Sequence, residues 1–325
     1  MTALGRSQAV ADAVAALREK LEQTGYVCGR PIATALFLSE KLGKPLLIEG
    51  PPGVGKTELA KATATVTGKP LIRLQCYEGL DESKALYEWK YGKQLLYTQV
   101  LKEKLGDLLE GAQGLKGALE RLHDFDDTFF SEEFLEPRPL LRALWAPQGA
   151  VLLIDEVDKA DDEFEAFLLE LLSDYQISVP VLGTIVAKHT PTVFITSNNR
   201  REIGDALKRR CLHLHIDFPD AGLERAIISR RVPDAEQRLN AQLVAFVQGL
   251  RTLDLKKAPS ISETIDWART LVLLHARELD ADLVRETLNV LLKFQDDIEL
   301  VAPQAARLVG QAIADAERPA LHAAP

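Results

Sequence analysis

One short run constrains this chain more than any other stretch: Gly50-Pro51-Pro52-Gly53-Val54-Gly55-Lys56-Thr57, which fits the spacing G-x-x-x-x-G-K-[ST]. Its glycines let backbone N–H groups turn inward around an anion, and a helix starting near Lys56 adds its positive end. Such a loop works only between a strand and a helix, and the flanks offer both. Pro45-Leu46-Leu47-Ile48 is a continuous apolar run of the kind that forms a buried strand, and residues 56–66 carry a helical pattern. Lys56 is placed to reach β- and γ-phosphates, Thr57 to offer its hydroxyl to Mg²⁺, and Glu58 follows in the first turn. The bland alternative is a glycine-rich turn with no ligand.

Four further apolar runs follow, at residues 71–74, 151–154, 192–196 and 212–216, with helical patterns between them, such as 163–172. Strands alternating with helices predict an α/β layer with a mainly parallel sheet. Two helices, at 7–23 and 31–41, precede it. Past Pro219 no strand-like run survives, and residues 223–231, 236–250, 262–278 and 280–300 read as helices. A chain of 325 residues suits two domains, here 1–219 and a helical second domain over 220–325. The segment 100–139 exceeds a minimal βαβ unit. It holds Leu101, Leu105, Leu108 and Leu109, then an acidic-aromatic stretch at 123–130, and reads either as an interaction element or as an extra packed helix. Residues 319–325 are expected to fray.

The run Val151-Leu152-Leu153-Ile154 ends in Asp155-Glu156. An acid at that strand end is placed to hold Mg²⁺ directly or through water, and the next acid to orient and deprotonate an attacking water. The bland reading is a strand end with two solvated acids. Asn198, after the run 193–197, is placed to contact a γ-phosphate or the water, although asparagine at a strand end is also an ordinary turn residue.

Charge and cysteine usage narrow the classes. Lys+Arg 39 against Asp+Glu 48 gives a net charge of −9, which disfavours a broad nucleic-acid-binding surface. No apolar run reaches the roughly 18 residues of a membrane span, and no basic-then-apolar leader opens the chain. Cys28, Cys76 and Cys211 are too few and too scattered for a disulfide framework or a zinc site, so a soluble, cytoplasmic protein is expected. His213 and His215 alternate on one strand face, but no acidic or cysteine partner stands in register to complete a metal site.

Taken in order, these motifs resemble the AAA+ ATPases, with Walker A at Gly50–Thr57, Walker B at Val151–Glu156 and the sensor 1 asparagine at Asn198. The intervening sequence at 74–80, 161–170 and 206–211 is similar to the MoxR branch and its CoxD-type members. The resemblance spans roughly residues 30 to 280. It implies an AAA+ P-loop NTPase core with a parallel five-stranded sheet, followed by a smaller all-helical lid. It also implies ATP and Mg²⁺ as ligands, and an arginine finger at Arg209 or Arg210 that completes a neighbouring subunit's site. Arg210 is the first choice because it directly precedes the strand at Cys211. A finger supplied in trans implies a homo-oligomeric ring, usually a hexamer.

The resemblance further implies a chaperone-like remodeller with a von Willebrand factor A domain partner. Its protein client would be a metalloenzyme of the carbon monoxide dehydrogenase or molybdenum hydroxylase type. One departure stands out: the family's sensor 2 arginine is missing, its place is held by Thr264, and Arg269 lies further along as a substitute. Two segments match pore elements, 77–91 with Tyr87 and Trp89, whose aromatics serve equally as core anchors, and a hairpin over 176–186 around Leu182-Gly183. Two other classes stay open beside the remodeller. One is a nucleotide-gated binding module, which the departure favours. The other is a small-molecule P-loop kinase, which would need a substrate lid in place of the finger and the helical domain.

Overall fold

The computed structural model describes residues 3–99, 131–179 and 182–318. The expectations for 100–130, for the hairpin tip at 180–181 and for 319–325 lie outside them. Helices α1 (Ala3–Gln23) and α2 (Arg30–Leu42) lead into β1 (Leu46–Glu49), the glycine-rich loop and α3 (Lys56–Thr67). Then follow β2 (Leu71–Gln75), α4 (Glu82–Ala85), β3 (Tyr87–Trp89), β4 (Leu135–Pro137), α5 (Pro139–Trp145) and β5 (Val151–Asp155). Next come α6 (Asp162–Asp174), β6 (Gln176–Val179), β7 (Gly183–Val186), β8 (Thr192–Ser197), α7 (Asp205–Arg210) and β9 (Leu212–His215).

The five apolar runs form the expected parallel five-stranded sheet, in the order β2-β5-β8-β1-β9. Leu71 pairs with Val151 and Leu74 with Ile154, while Val151 pairs with Thr192 and Ile154 with Ile195. Burial follows position. The inner strands β5 and β8 are buried on both faces, which is why their sequences are nearly continuous in Val, Leu and Ile. The edge strand β2 alternates instead: Ile72 and Leu74 are buried, whereas Arg73 and Gln75 lie on the other face.

Beyond β9 the chain is helical: α8 (Ala221–Arg231), α9 (Gln237–Leu250), α10 (Ile261–Leu273), α11 (Ala281–Leu291), α12 (Gln295–Val301) and α13 (Ala305–Glu317). The stretch 280–300, read as one helix, is two. Leu292 turns into an extended conformation and buries itself. The helix restarts where buried Asp297 accepts the backbone N–H groups of Lys256 (2.9 Å) and Lys257 (3.3 Å), a tertiary bond that periodicity does not register. Helix α10 likewise stops at Leu273 rather than 278, and His275 turns left-handed at φ 56°.

Two compact units make up the chain, residues 1–41, 48–67 and 213–325 in one and 42–47 and 68–212 in the other. The first has a helical core in which Phe246 packs on Trp267 at 5.4 Å between ring centroids, and the Trp267 indole donates to Thr287 Oγ1 at 2.8 Å. In the second, Leu152, Ile154, Val193 and Ile195 from the sheet meet Phe164, Leu168 and Leu171 of α6. Tyr87 and Trp89 sit edge to face at 5.8 Å on β3, partly buried against that same core, the anchoring role of the two they were offered. The hairpin β6–β7 is present, with Val179 paired to Gly183. Among the described residues no helix is long and apolar enough to cross a membrane.

Candidate functional site

In the first unit, the loop after β1 is built by three glycines in backbone conformations that side chains disfavour: Gly50 at φ 148°, Gly53 at φ 76° and Gly55 at φ 96°. A Cβ on Gly50 would land on the carbonyl of Ile216, and one on Gly53 would land on the Ser260 side chain. The loop therefore passes its neighbours at a distance only glycine permits. Lys56 opens α3 and is buried, its Nζ donating to the carbonyls of Gly50 (2.6 Å) and Pro51 (2.8 Å). An ammonium held over its own loop places positive charge where an anion would sit.

Beside this loop lies a cavity of about 180 Å³. Val27, Ile32, Val54, Ile216, Leu223 and Ile227 give it apolar walls, and Glu58 and Arg231 stand among its few charged residues. Apolar walls with sparse polar groups are the composition of a small-molecule pocket. The Tyr26 hydroxyl, also in its wall, has its pKa raised, mainly by burial and then by the nearby Cys28 and Glu58. Glu58 itself pairs with Lys61 at 2.7 Å and more loosely with Arg231 at 3.7 Å.

Helix α10 contributes Ile261, Ser262 and Ile265 to the cavity. Thr264 points away from it. Fully buried, its hydroxyl faces two acceptors, donating to Glu224 Oε1 (3.0 Å) or to Ser260 O one turn back (2.9 Å). Glu224 also takes Arg251 through both oxygens (2.7 and 2.8 Å) and Gln248 (2.7 Å), so this position is tied into the helical core. Arg269 is exposed and pairs with Asp266 at 3.5 Å. Its spacing of seven from Ser262 and four from Ile265 puts it on their face of the helix.

In the second unit, Asp155, Glu156 and Asn198 form one hydrogen-bonded cluster. Asp155 is buried at the end of β5: Oδ1 accepts from Thr196 Oγ1 (2.6 Å), and Oδ2 accepts from Arg73 Nε (3.0 Å) and Nη2 (2.5 Å). Glu156 is left-handed at φ 58°, ψ 51°, an unfavourable conformation for glutamate that sends its side chain back toward the strand ends. Its N–H donates to Thr196 Oγ1 (2.9 Å), while its carboxylate accepts from Asn198 Nδ2 (2.9 Å) and Gln75 Nε2 (2.9 Å) and pairs with Lys159. Negative charge gathers here: the Cys76 thiol is pushed up to about 12, first by burial and then by Asp155, Asp158 and Glu156.

Arg73, Gln75, Thr196 and Lys159 were not singled out from the sequence. The available clue was polarity at alternate positions of otherwise apolar strands, Arg73 and Gln75 on β2 and Thr196 on β8.

At the end of α7, Arg210 donates to Ser173 Oγ (2.8 Å) and back to Ala206 O (3.4 Å), while Arg209 is exposed. His213 does have an acidic partner, contrary to the expectation from sequence: its Nε2 lies 2.7 Å from Glu49 Oε2 on the neighbouring strand β1. Among the described residues no group of three or more His, Cys, Asp or Glu is arranged to hold a metal.

Comparison with known proteins adds the following. A family model, the AAA domain of the dynein-related subfamily, matches residues 45–211. An uncharacterized protein of Staphylococcus aureus (strain bovine RF122 / ET3-1) is 27% identical over 247 residues, 74% of this chain and 79% of its own length. One of Staphylococcus epidermidis (strain ATCC 12228 / FDA PCI 1200) is 26% identical over the same span. Among solved structures, the RuvB Holliday junction branch migration motor of Thermotoga maritima aligns with a TM-score of 0.43 at 18% identity, covering 84% of this chain and 69% of that one.

Proposed function

The chain belongs to the dynein-related subfamily of AAA domains, and from that premise we propose that it is a Mg²⁺-dependent ATPase of the MoxR type, in its CoxD-like subgroup. In this reading it assembles into a ring, with the hexamer usual in the family as the first arrangement to test, and remodels a protein client in the cytoplasm. The client is a metalloenzyme of the carbon monoxide dehydrogenase or molybdenum hydroxylase type, reached with a von Willebrand factor A domain partner. Residues 1–219 act as the nucleotide-binding domain and 220–325 as the lid. Client, partner and subgroup rest on the sequence resemblance alone.

The observation that carries the ATPase reading is the glycine-built loop over the buried Lys56, in which a Cβ at Gly50 or Gly53 would collide with Ile216 or Ser260. Backbone N–H groups of Gly53, Val54 and Gly55 take phosphate oxygens, with Pro51 and Pro52 stiffening the loop. Lys56 exchanges its loop carbonyls for β- and γ-phosphate oxygens. The Thr57 hydroxyl and the Asp155 carboxylate are each donors that suit a hard divalent cation; they would hold Mg²⁺, which would supply charge neutralisation at the phosphates. Glu156 orients and deprotonates the attacking water, Asn198 holds that carboxylate in line, and Arg210, with Arg209 beside it, serves the neighbouring subunit.

A second reading has its own support. The Glu156 carboxylate is engaged by Gln75, Asn198 and Lys159, and Thr264 is bound to Glu224. A base held this way favours a nucleotide-gated switch whose turnover waits for a partner. Glu156→Gln separates the two: nucleotide binding is retained, and client activation is lost if hydrolysis drives it. Client activation equal to wild type would overturn the remodeller and leave the switch. Lys56→Ala abolishes fluorescent-nucleotide binding under either reading, and unchanged binding would remove both.

A further inference from the structure

Asp155 is a buried carboxylate, and an uncompensated buried charge is costly. The chain supplies a cation of its own. Arg73, one strand over on β2, places two N–H donors on Oδ2 at 3.0 and 2.5 Å, while its own side chain is half exposed. The other oxygen, Oδ1, is taken by Thr196. A carboxylate oxygen accepting two guanidinium N–H groups has its lone pairs committed, and a second cation on the same oxygen would face Arg73 at close range.

We propose that Arg73 is the resident counter-ion of Asp155, a positioning residue that must yield Oδ2 before Asp155 can ligate a divalent cation. Arg73 thereby sets the metal concentration at which the site loads. This rests on the nucleotide-site reading above. Gln75 makes the exchange possible without casting the guanidinium loose, because Arg73 Nη2 also donates to Gln75 Oε1 at 2.5 Å. The same Gln75 holds Glu156 through its amide nitrogen at 2.9 Å. Release of Oδ2 therefore changes the setting of the side chain that restrains the candidate base.

The test measures coupling between metal and nucleotide in the full-length chain. Dissociation constants of a fluorescent, non-hydrolysable ATP analogue (mant-AMP-PNP) are taken in EDTA and in excess Mg²⁺, and their ratio is compared between variants. Arg73→Gln removes the competing charge, so the ratio rises about tenfold or more over wild type, the change carried by one charge-assisted hydrogen bond. Arg73→Lys keeps a cation at the carboxylate and stays near wild type. A ratio that is unchanged or smaller in Arg73→Gln overturns the proposal, since Arg73 would then only brace Asp155. Urea melts of both variants establish that they are folded, and Mg²⁺ raises the midpoint of Arg73→Gln more than that of wild type. If wild type and Lys56→Ala alike fail to bind the analogue, the nucleotide reading falls, and this proposal with it.

Discussion

A single hydroxyl serves both acids at the end of β5. Thr196 donates to Asp155 Oδ1 at 2.6 Å and accepts the Glu156 N–H at 2.9 Å, and it is 1% exposed. Thr196→Val keeps the shape and removes both partners, leaving a buried carboxylate oxygen and a backbone N–H unsatisfied. Each such group costs about 1–3 kcal/mol, so the urea midpoint falls clearly for Thr196→Val and little for Thr196→Ser, which retains the hydroxyl. Equal midpoints for the valine and serine variants would deny the hydroxyl this role. Asp155, Glu156 and Asn198 were legible in the sequence because each interrupts or follows a strand that is otherwise apolar. Thr196 was not, since a threonine inside a strand is also what β-propensity alone would place there. Arg73 and Gln75 were hidden for a related reason: an edge strand alternates polar and apolar residues whether or not its polar face meets a site.

Among the elements, α10 depends most visibly on its first turn. The Ser260 N–H donates to Glu263 Oε2 at 3.0 Å, the Ser260 hydroxyl bonds the same carboxylate, and Lys257 stands 3.3 Å from it. Burial alone would raise the Glu263 pKa. The Ser260 hydroxyl and N–H and the Lys257 charge outweigh it and hold the carboxyl below its ordinary 4.5. A depressed carboxyl pKa stabilises the folded state above the unfolded value, and that contribution is lost as pH falls through the folded one. Glu263→Gln is therefore less stable than wild type at neutral pH by about 1 kcal/mol, the usual worth of such a cap. The gap closes on acidification below about pH 4.5, as denaturant melts at several pH values would register. A gap that persists or widens in acid contradicts the assignment. At this scale the strands were readable as continuous apolar runs and the helices as periodic ones. What escaped were ends and breaks set by distant partners, as where Asp297 caps the backbone of Lys256 and Lys257 and divides one periodic stretch into α11 and α12.

For the molecule as a whole, the open question is whether one chain suffices. Arg210, the first candidate for a finger, is engaged inside its own chain by Ser173 and by the carbonyl of Ala206. Both are neutral partners, and a guanidinium held by neutral acceptors gives them up readily for an anion, since charge-assisted bonds are about twice as strong. Arg209, exposed beside it, has no hydroxyl to leave. If Arg210 acts across a subunit boundary, the ATPase rate per protomer rises with protein concentration and levels off once assembly is complete. Arg210→Ala then lowers the plateau by about 10³-fold or more, the loss expected of a finger, while nucleotide affinity holds, because the mutated residue serves the neighbour's site. Ser173→Ala, which frees the guanidinium, leaves the plateau intact or raises it. Mixing wild type with Arg210→Ala depresses the rate of the wild-type chains, as shared sites require. A rate per protomer independent of concentration, or an Arg209→Ala variant that collapses while Arg210→Ala does not, would reassign the finger or remove the need for one.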